Sequence, residues 1–355
     1  MTCRIALLPG DGIGPEVLTQ GRRILEAAMR VTGQSITFQH FDFGAEKYLR
    51  EGITLPDSAL QNFRENFDAI YLGALGDPRV PDSAHAKDIL LGMRFKLDLF
   101  INLRPVRVMD EALCPLKHKR IEDVRFTVFR ENTEGEYTGV GGIFKKGTPD
   151  EIAIEQSINT RKGVERIIVA AFEYARKQGL KRLCMADKHN AWRHGHDLWL
   201  RVFKEVAARY PEITPRHLFV DALVMELVRA PEQFDVIVTC NLFGDIVTDL
   251  GAQLQGGMGM AISGNIHPGQ VSMFEPVHGS APDIAGKNRA NPMAAVLTGA
   301  LMLQHLGYAD ASRLLDEAVE HAYRQKWVTP DLGGTRSTVE VGDALVKLVE
   351  QTPGA

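Results

Sequence analysis

Val236-Ile237-Val238-Thr239-Cys240-Asn241-Leu242-Phe243-Gly244-Asp245-Ile246-Val247-Thr248-Asp249 is the stretch that decides the fold. Its first four residues form a continuous apolar, β-branched run, the pattern of a strand buried on both faces. The residues after it carry two acids four apart, which a helix sets on one face. Working outward, Arg4–Leu8, Ala69–Leu72, Val124–Phe129 and Leu183–Ala186 read as further buried strands. Between them Val164, Ile167, Ile168, Ala171 and Ala175 recur at helical spacing, and Ala294–Leu306 reads as another helix. The alternation predicts an α/β fold with a largely parallel or mixed sheet. No internal repeat or low-complexity linker marks a boundary. Gly256–Gly259 and Asn102–Pro105 are candidate crossing points between domains.

The chain has 355 residues, 45% of them apolar and 24% charged, with a net charge of -4. That length suits roughly two domains of about 150 residues each. Basic residues are spread along the chain, which gives no footprint for nucleic acid. No stretch approaches the ~20 apolar residues that span a bilayer. The opening MTCRIALLPGDG reads as a first strand rather than a signal peptide. Cys3, Cys114, Cys184 and Cys240 are scattered, with no CxxC pair, so reduced thiols and a cytoplasmic location are expected.

Pro9-Gly10-Asp11-Gly12-Ile13-Gly14-Pro15-Glu16 follows a strand and opens a helix, yet Pro15 stands where a dinucleotide fingerprint wants glycine. A tight strand-to-helix turn accounts for it, with a supporting role beside a cofactor as the alternative. Three other groups carry chemistry. Arg94, Arg104 and Arg130 have the fork that grips carboxylates, and Arg130 ends an apolar strand, where α/β sites form. Asp245 and Asp249, with Asp221, form an oxygen-only set suited to Mg²⁺ or Mn²⁺; a helix start enriched in acids reads equally well. Lys188, beside a cation, can act as general base, and Tyr137 can pass a proton. His189, His194 and His196 invite a zinc reading that their spacing does not support.

Together these motifs resemble the β-decarboxylating dehydrogenases: the isopropylmalate, isocitrate, homoisocitrate and tartrate/D-malate dehydrogenases. The likeness runs from Leu8-Pro9-Gly10-Asp11-Gly12-Ile13-Gly14-Pro15-Glu16 to Pro330-Asp331-Leu332-Gly333-Gly334-Thr335. Asn241-Leu242-Phe243-Gly244-Asp245-Ile246 looks like the family's metal helix. Glu275-Pro276-Val277-His278-Gly279-Ser280-Ala281-Pro282-Asp283-Ile284-Ala285-Gly286-Lys287 looks like its cofactor loop.

The resemblance implies a two-domain isopropylmalate/isocitrate dehydrogenase-like α/β fold, not a Rossmann domain, with mixed sheets and flanking helices. Residues 1–100 with 256–355 would be the cofactor-binding domain holding both termini. Residues 101–255 would be the central substrate, metal and dimerisation domain, with the active cleft between the two. It implies a homodimer in which each site borrows Lys188 and Asp221 from the neighbour. Arg94, Arg104 and Arg130 would clamp a 2-hydroxy dicarboxylate; Asp221, Asp245 and Asp249 would hold Mg²⁺ or Mn²⁺. Lys188, Tyr137 and Asp221 would be catalytic. His278, Gly279, Ser280, Ala281, Asp283, Ile284 and Asn291 would bind NAD, with Asp283 repelling the 2′-phosphate of NADP.

The implied reaction is NAD-dependent oxidative decarboxylation of a (2R)-malate bearing a substituent on its third carbon. That substituent is either alkyl, as in 3-isopropylmalate, or polar or anionic, as in phosphonomethyl-malate. Tartrate/D-malate is the alternative substrate class; Asp88 and Leu90, where isocitrate enzymes carry serine and asparagine, argue against isocitrate. Leu90 and Leu91 resemble an apolar substituent pocket, whereas His85 and Lys87 would face a polar group. A silent relative would have lost some of these acids or Lys188, and a metal-free hydroxyacid dehydrogenase would resist chelators and release no CO₂.

Overall fold

The computed structural model describes residues 2–352. In chain order its strands are β1 (Cys3–Gly10), β2 (Ile36–His40), β3 (Ala69–Ala74), β4 (Ile101–Arg107), β5 (Arg125–Glu131), β6 (Gly141–Phe144), β7 (Ile152–Glu155), β8 (Arg182–Asp187), β9 (Thr214–Phe219), β10 (Val236–Thr239), β11 (Ile262–Ile266) and β12 (Ser272–Pro276). The chain divides into two compact units. One takes the stretches up to Leu99, Val108–Lys117 and from Ala252 onward; the other takes Phe100–Arg107 and His118–Gly251. Val108–Lys117 therefore belongs with the terminal stretches, although the central segment was expected to run unbroken from 101. So short an excursion carries no compositional mark.

In the first unit the strands lie in the order β2-β1-β3-β12-β11. β1 runs parallel to β2 and β3, β12 parallel to β3, and β11 antiparallel to β12. Ile5, Ala6, Leu8, Ile70 and Leu72 are wholly buried, as their unbroken apolar pattern requires. The helix Met293–His305 is apolar on every side, and each residue from Met293 to Leu303 is buried. It packs against the helices Gly14–Val31 and Ala309–Arg324. The turn between β1 and Gly14–Val31 needs its glycines: Gly12 has φ +57°, and a Cβ there would sit 2.0 Å from the Ser280 carbonyl oxygen. Ile13 N–H donates to that same oxygen at 2.8 Å.

In the second unit the order is β4-β5-β10-β8-β9, with β4 antiparallel to β5 and the rest parallel. The helix Arg161–Lys177 buries Val164, Ile167, Ile168, Ala171, Phe172 and Ala175. Thr160 caps it by accepting Gly163 N–H at 3.0 Å. It packs on β5, β8 and β10 and against the helix Gly195–Ala207. β6 and β7 form a separate antiparallel pair whose residues are all exposed. Among the described residues, no helix is long and apolar enough to cross a membrane.

Candidate active site

In the second unit, strand register gathers the arginines. Asn102 pairs opposite Arg130, and Arg104 opposite Val128. With a side-chain period of two, Asn102, Arg104 and Arg130 share one face. The helix Asn241–Leu254 meets that face through Asn241, Gly244, Asp245 and Thr248, residues its 3.6-residue period puts on one side. Arg130, 1% exposed, donates from Nε and Nη2 to Asn241 Oδ1 at 3.0 and 2.8 Å, and from Nη1 to Asp245. Arg104 donates from Nε to Asn102 Oδ1 at 2.7 Å and from Nη1 to Thr248, and its Nη2 lies 3.3 Å from Asp245. The Tyr137 hydroxyl donates to Asp245 Oδ2 at 2.9 Å, with its ring 5.2 Å from the Arg130 guanidinium.

Gly244 makes this approach possible, because a Cβ there would lie 2.5 Å from Arg130 Cγ. Gly244→Ala should cost about 1–3 kcal/mol of stability, the usual penalty of overpacking a buried contact. Urea unfolding of the variant checks this; an unchanged midpoint would show that the helix can slide off the arginine.

Asp249 follows Asp245 by one helical turn and is exposed. Partial desolvation of its carboxyl by neighbouring atoms, and then repulsion from Asp245, push it above the usual carboxylate range although the residue reaches solvent. Two carboxylates in mutual repulsion, with oxygen the sole donor element, fit a hard divalent cation. Asp221 does not join them within one chain: among the described residues, the one set of three His, Cys, Asp or Glu ligand atoms all within 4.8 Å is Asp187, His189 and His217. Asp221 instead forms an ion pair with Lys188, which holds its carboxyl below the usual range.

Lys188 is placed by its backbone. It follows β8, and its N–H donates to His196 Nδ1 at 2.8 Å. His196 is 1% exposed, and its ring meets Trp192 edge-on at 4.8 Å and Phe243 at 5.3 Å. Burial pushes the imidazole down to about 4. It is therefore neutral, and Nδ1 is free to accept. The ammonium of Lys188 lies 5.5 Å from the Phe219 ring.

In the first unit, Arg94 is buried and donates from Nη2 to Glu275 Oε1 at 2.9 Å, while its Nε has no partner. Asn265 also donates to Glu275 Oε1 at 2.9 Å. Lys87 is exposed and Leu91 half-buried on the same helix, Ala84–Lys96. Leu90 packs partly against the unit's apolar core. The expectation that His85 faces a substituent is corrected. His85 is wholly buried, and its Nε2 lies 2.7 Å from Asp11 Oδ2. Asp11 also accepts Ala45 and Gly76 N–H groups at 2.6 and 2.8 Å, so the pair ties down the glycine-rich turn.

The loop after β12 offers an orphaned atom. His278 Nε2 is buried with no hydrogen-bond partner, and burial pushes the imidazole down, leaving it neutral. Asp283 and Gly279 are exposed, Ser280, Ala281 and Ile284 half-buried. Asn291 is committed within the protein: its Nδ2 donates to Asp331 at 2.9 Å and its Oδ1 accepts Met293 N–H at 2.9 Å. His278 Nδ1 lies 3.1 Å from the Gly279 carbonyl oxygen, and the unpartnered Nε2 beside exposed backbone and the exposed Asp283 carboxylate fits an adenosine, with its ring nitrogens and ribose diol. Sequence reasoning missed Glu275, Asn241, Asn102, Thr248 and His196 as site residues. Only strand register or the fold reveals their positions under the arginines and the lysine.

The model of the isocitrate/isopropylmalate dehydrogenase family matches residues 4–345. A 3-isopropylmalate dehydrogenase from Thermobifida fusca is 46% identical over 352 residues, covering 99% of this chain and 98% of that protein. One from Streptomyces griseus is 46% identical over 343 residues, covering 96% of each. The crystal structure of isocitrate dehydrogenase from Methylococcus capsulatus superposes with a TM-score of 0.89 at 36% identity, covering 99% of this chain and 100% of that one.

Proposed function

The chain belongs to the isocitrate/isopropylmalate dehydrogenase family and is an oxidative decarboxylating dehydrogenase, and from that premise we propose that it oxidises and decarboxylates a (2R)-malate with an apolar substituent on its third carbon. The buried neutral face of His278, the oxygen-only pair Asp245 and Asp249, and the Arg104–Arg130 face support this reading. The relatives named 3-isopropylmalate dehydrogenase favour an alkyl substituent, and the burial of His85 against Asp11 removes one of two groups that would have admitted an anionic one.

Arg104, Arg130 and Arg94 orient the substrate's carboxylates through their forks. When bound, NAD accepts the hydride, and Mg²⁺ or Mn²⁺ on Asp245 and Asp249 lowers the cost of negative charge on substrate oxygen. Lys188 takes the proton of the 2-hydroxyl as hydride leaves C2. The 3-carboxylate then departs as CO₂, and the Tyr137 hydroxyl returns a proton to C3. Asp283 would take the adenine ribose hydroxyls, with Gly279, Ser280, Ala281, Ile284 and Asn291 around the nucleoside.

A homodimer completes the reading. Met225, Val228 and Ile246 are exposed at 72%, 49% and 56%, as are the apolar residues of β6 and β7. Large apolar side chains left exposed in this number on one unit favour burial against a second copy. The partner subunit's Lys188 and the partner's Asp221 would then serve each site.

NADH formation with Mn²⁺ across D-malate, tartrate, 3-isopropylmalate, isocitrate and phosphonomethyl-malate tests the reading. We expect 3-isopropylmalate to give the highest kcat/KM, with NAD preferred over NADP, CO₂ released and EDTA abolishing turnover. Chelator-resistant turnover without CO₂ would overturn it in favour of a metal-free dehydrogenase.

A further inference from the structure

Asp187, His189 and His217 meet at the end of β8, away from the oxygen-only pair in kind if not in unit. His217 Nε2 lies 2.9 Å from Asp187 Oδ1, and His189 Nδ1 lies 3.1 Å from each Asp187 oxygen. The three ligand atoms all fall within 4.8 Å of one another. Donors about 2.0–2.1 Å from a tetrahedral cation stand about 3.3 Å apart, so small side-chain shifts would seat an ion.

The surroundings suit one. Asp187 is wholly buried, and β8 and β9 pair Asp187 with Phe219, which holds the two strand ends in fixed register. The side chains of His189 and His217 are 29% and 26% exposed, which leaves an approach from solvent. Their rings lie 5.2 Å apart, with Phe219 packed on both. An apolar ring beside a polar donor set is the setting in which a bound cation is poorly screened.

We propose that Asp187, His189 and His217 form a second cation site, selective for a borderline transition ion such as Zn²⁺. Two imidazoles and one carboxylate suit Zn²⁺, whereas Mg²⁺ prefers oxygen alone. Binding requires His189 to carry its proton on Nε2 and His217 on Nδ1, so that the facing nitrogens offer lone pairs. Lys188 stands between two of the ligands in sequence. Occupancy should therefore inhibit turnover, a consequence that rests on the role proposed for Lys188.

Co²⁺ titration of the chelator-stripped full-length protein in saturating Mg²⁺ tests the site by visible ligand-field absorption, independently of activity. One equivalent of Co²⁺ should produce the absorption of a nitrogen-containing, low-coordinate site, and Zn²⁺ should displace it. His189→Ala, at a half-exposed position, should weaken binding by more than about 10- to 100-fold. His217→Ala should do the same, and His194→Ala, outside the set, should leave it unchanged. Should His217→Ala fail to fold, His189→Ala alone decides. No absorption in the folded wild type, or equal absorption in His189→Ala, would overturn the proposal and leave a hydrogen-bonded network. Absence of Mg²⁺-dependent turnover would count against the function proposed above without touching this readout.

Discussion

Lys188→Met should lower kcat by about 10²- to 10⁴-fold, the usual contribution of a positioned general base, with much less change in KM. Methionine keeps the length of the side chain and removes the amine. The backbone N–H of residue 188 still reaches His196 Nδ1, so the strand end should stay in place. Asp221 loses its partner but is exposed, so water replaces the ion pair and the thermal midpoint should hold. Lys188→Arg separates charge from proton transfer, because a guanidinium keeps the positive charge and cannot give up its proton near neutrality. If Lys188 works as a base, Arg should be nearly as poor as Met in steady-state NADH assays. Substantial recovery by Arg would mean that position 188 supplies charge alone, and the proton would have to leave by another group.

The sequence showed the strands and the site residues to different depths. β10 and the helix after it were legible because an unbroken β-branched run has one solution, a strand covered on both faces. Arg104 and Arg130 were grouped from the sequence, but the frame of Asn102, Asn241 and Thr248 that holds them was not, since it depends on Asn102 facing Arg130 across an antiparallel pair, and register is a tertiary property. β6 and β7 escaped for the opposite reason. Their apolar residues face outward, so alternation gives no buried side to detect. His85 looked like a substrate contact because a basic residue precedes Leu90 and Leu91. The fold turned it inward to Asp11, a partner 74 residues away. Among the histidines near Lys188, spacing argued against zinc between His189, His194 and His196. The structure gives His189 different companions, Asp187 and His217, the latter from a neighbouring strand that local spacing cannot reach.

His196 gives the second large effect, and its sign follows from the direction of its shift. Buried against Trp192 and Phe243, its imidazole titrates at about 4 instead of 6.5. Between those values the unfolded chain binds a proton that the native protein refuses. Unfolding therefore takes up protons, and stability falls as pH drops from 6.5 towards 4. Above 6.5 both states are neutral and this residue adds no slope; below 4 both are charged and the loss is complete. At about 1.36 kcal/mol per pH unit the loss comes to about 3 kcal/mol. Asparagine at 196 can still accept the Lys188 N–H through its amide oxygen, and it does not titrate. The difference in unfolding free energy between wild type and His196→Asn should therefore shift by about 3 kcal/mol between about pH 7.5 and pH 4, measured in urea. Parallel curves would mean that His196 protonates inside the native protein. Nδ1 could then no longer accept from Lys188, and the lysine's backbone would be held by something else.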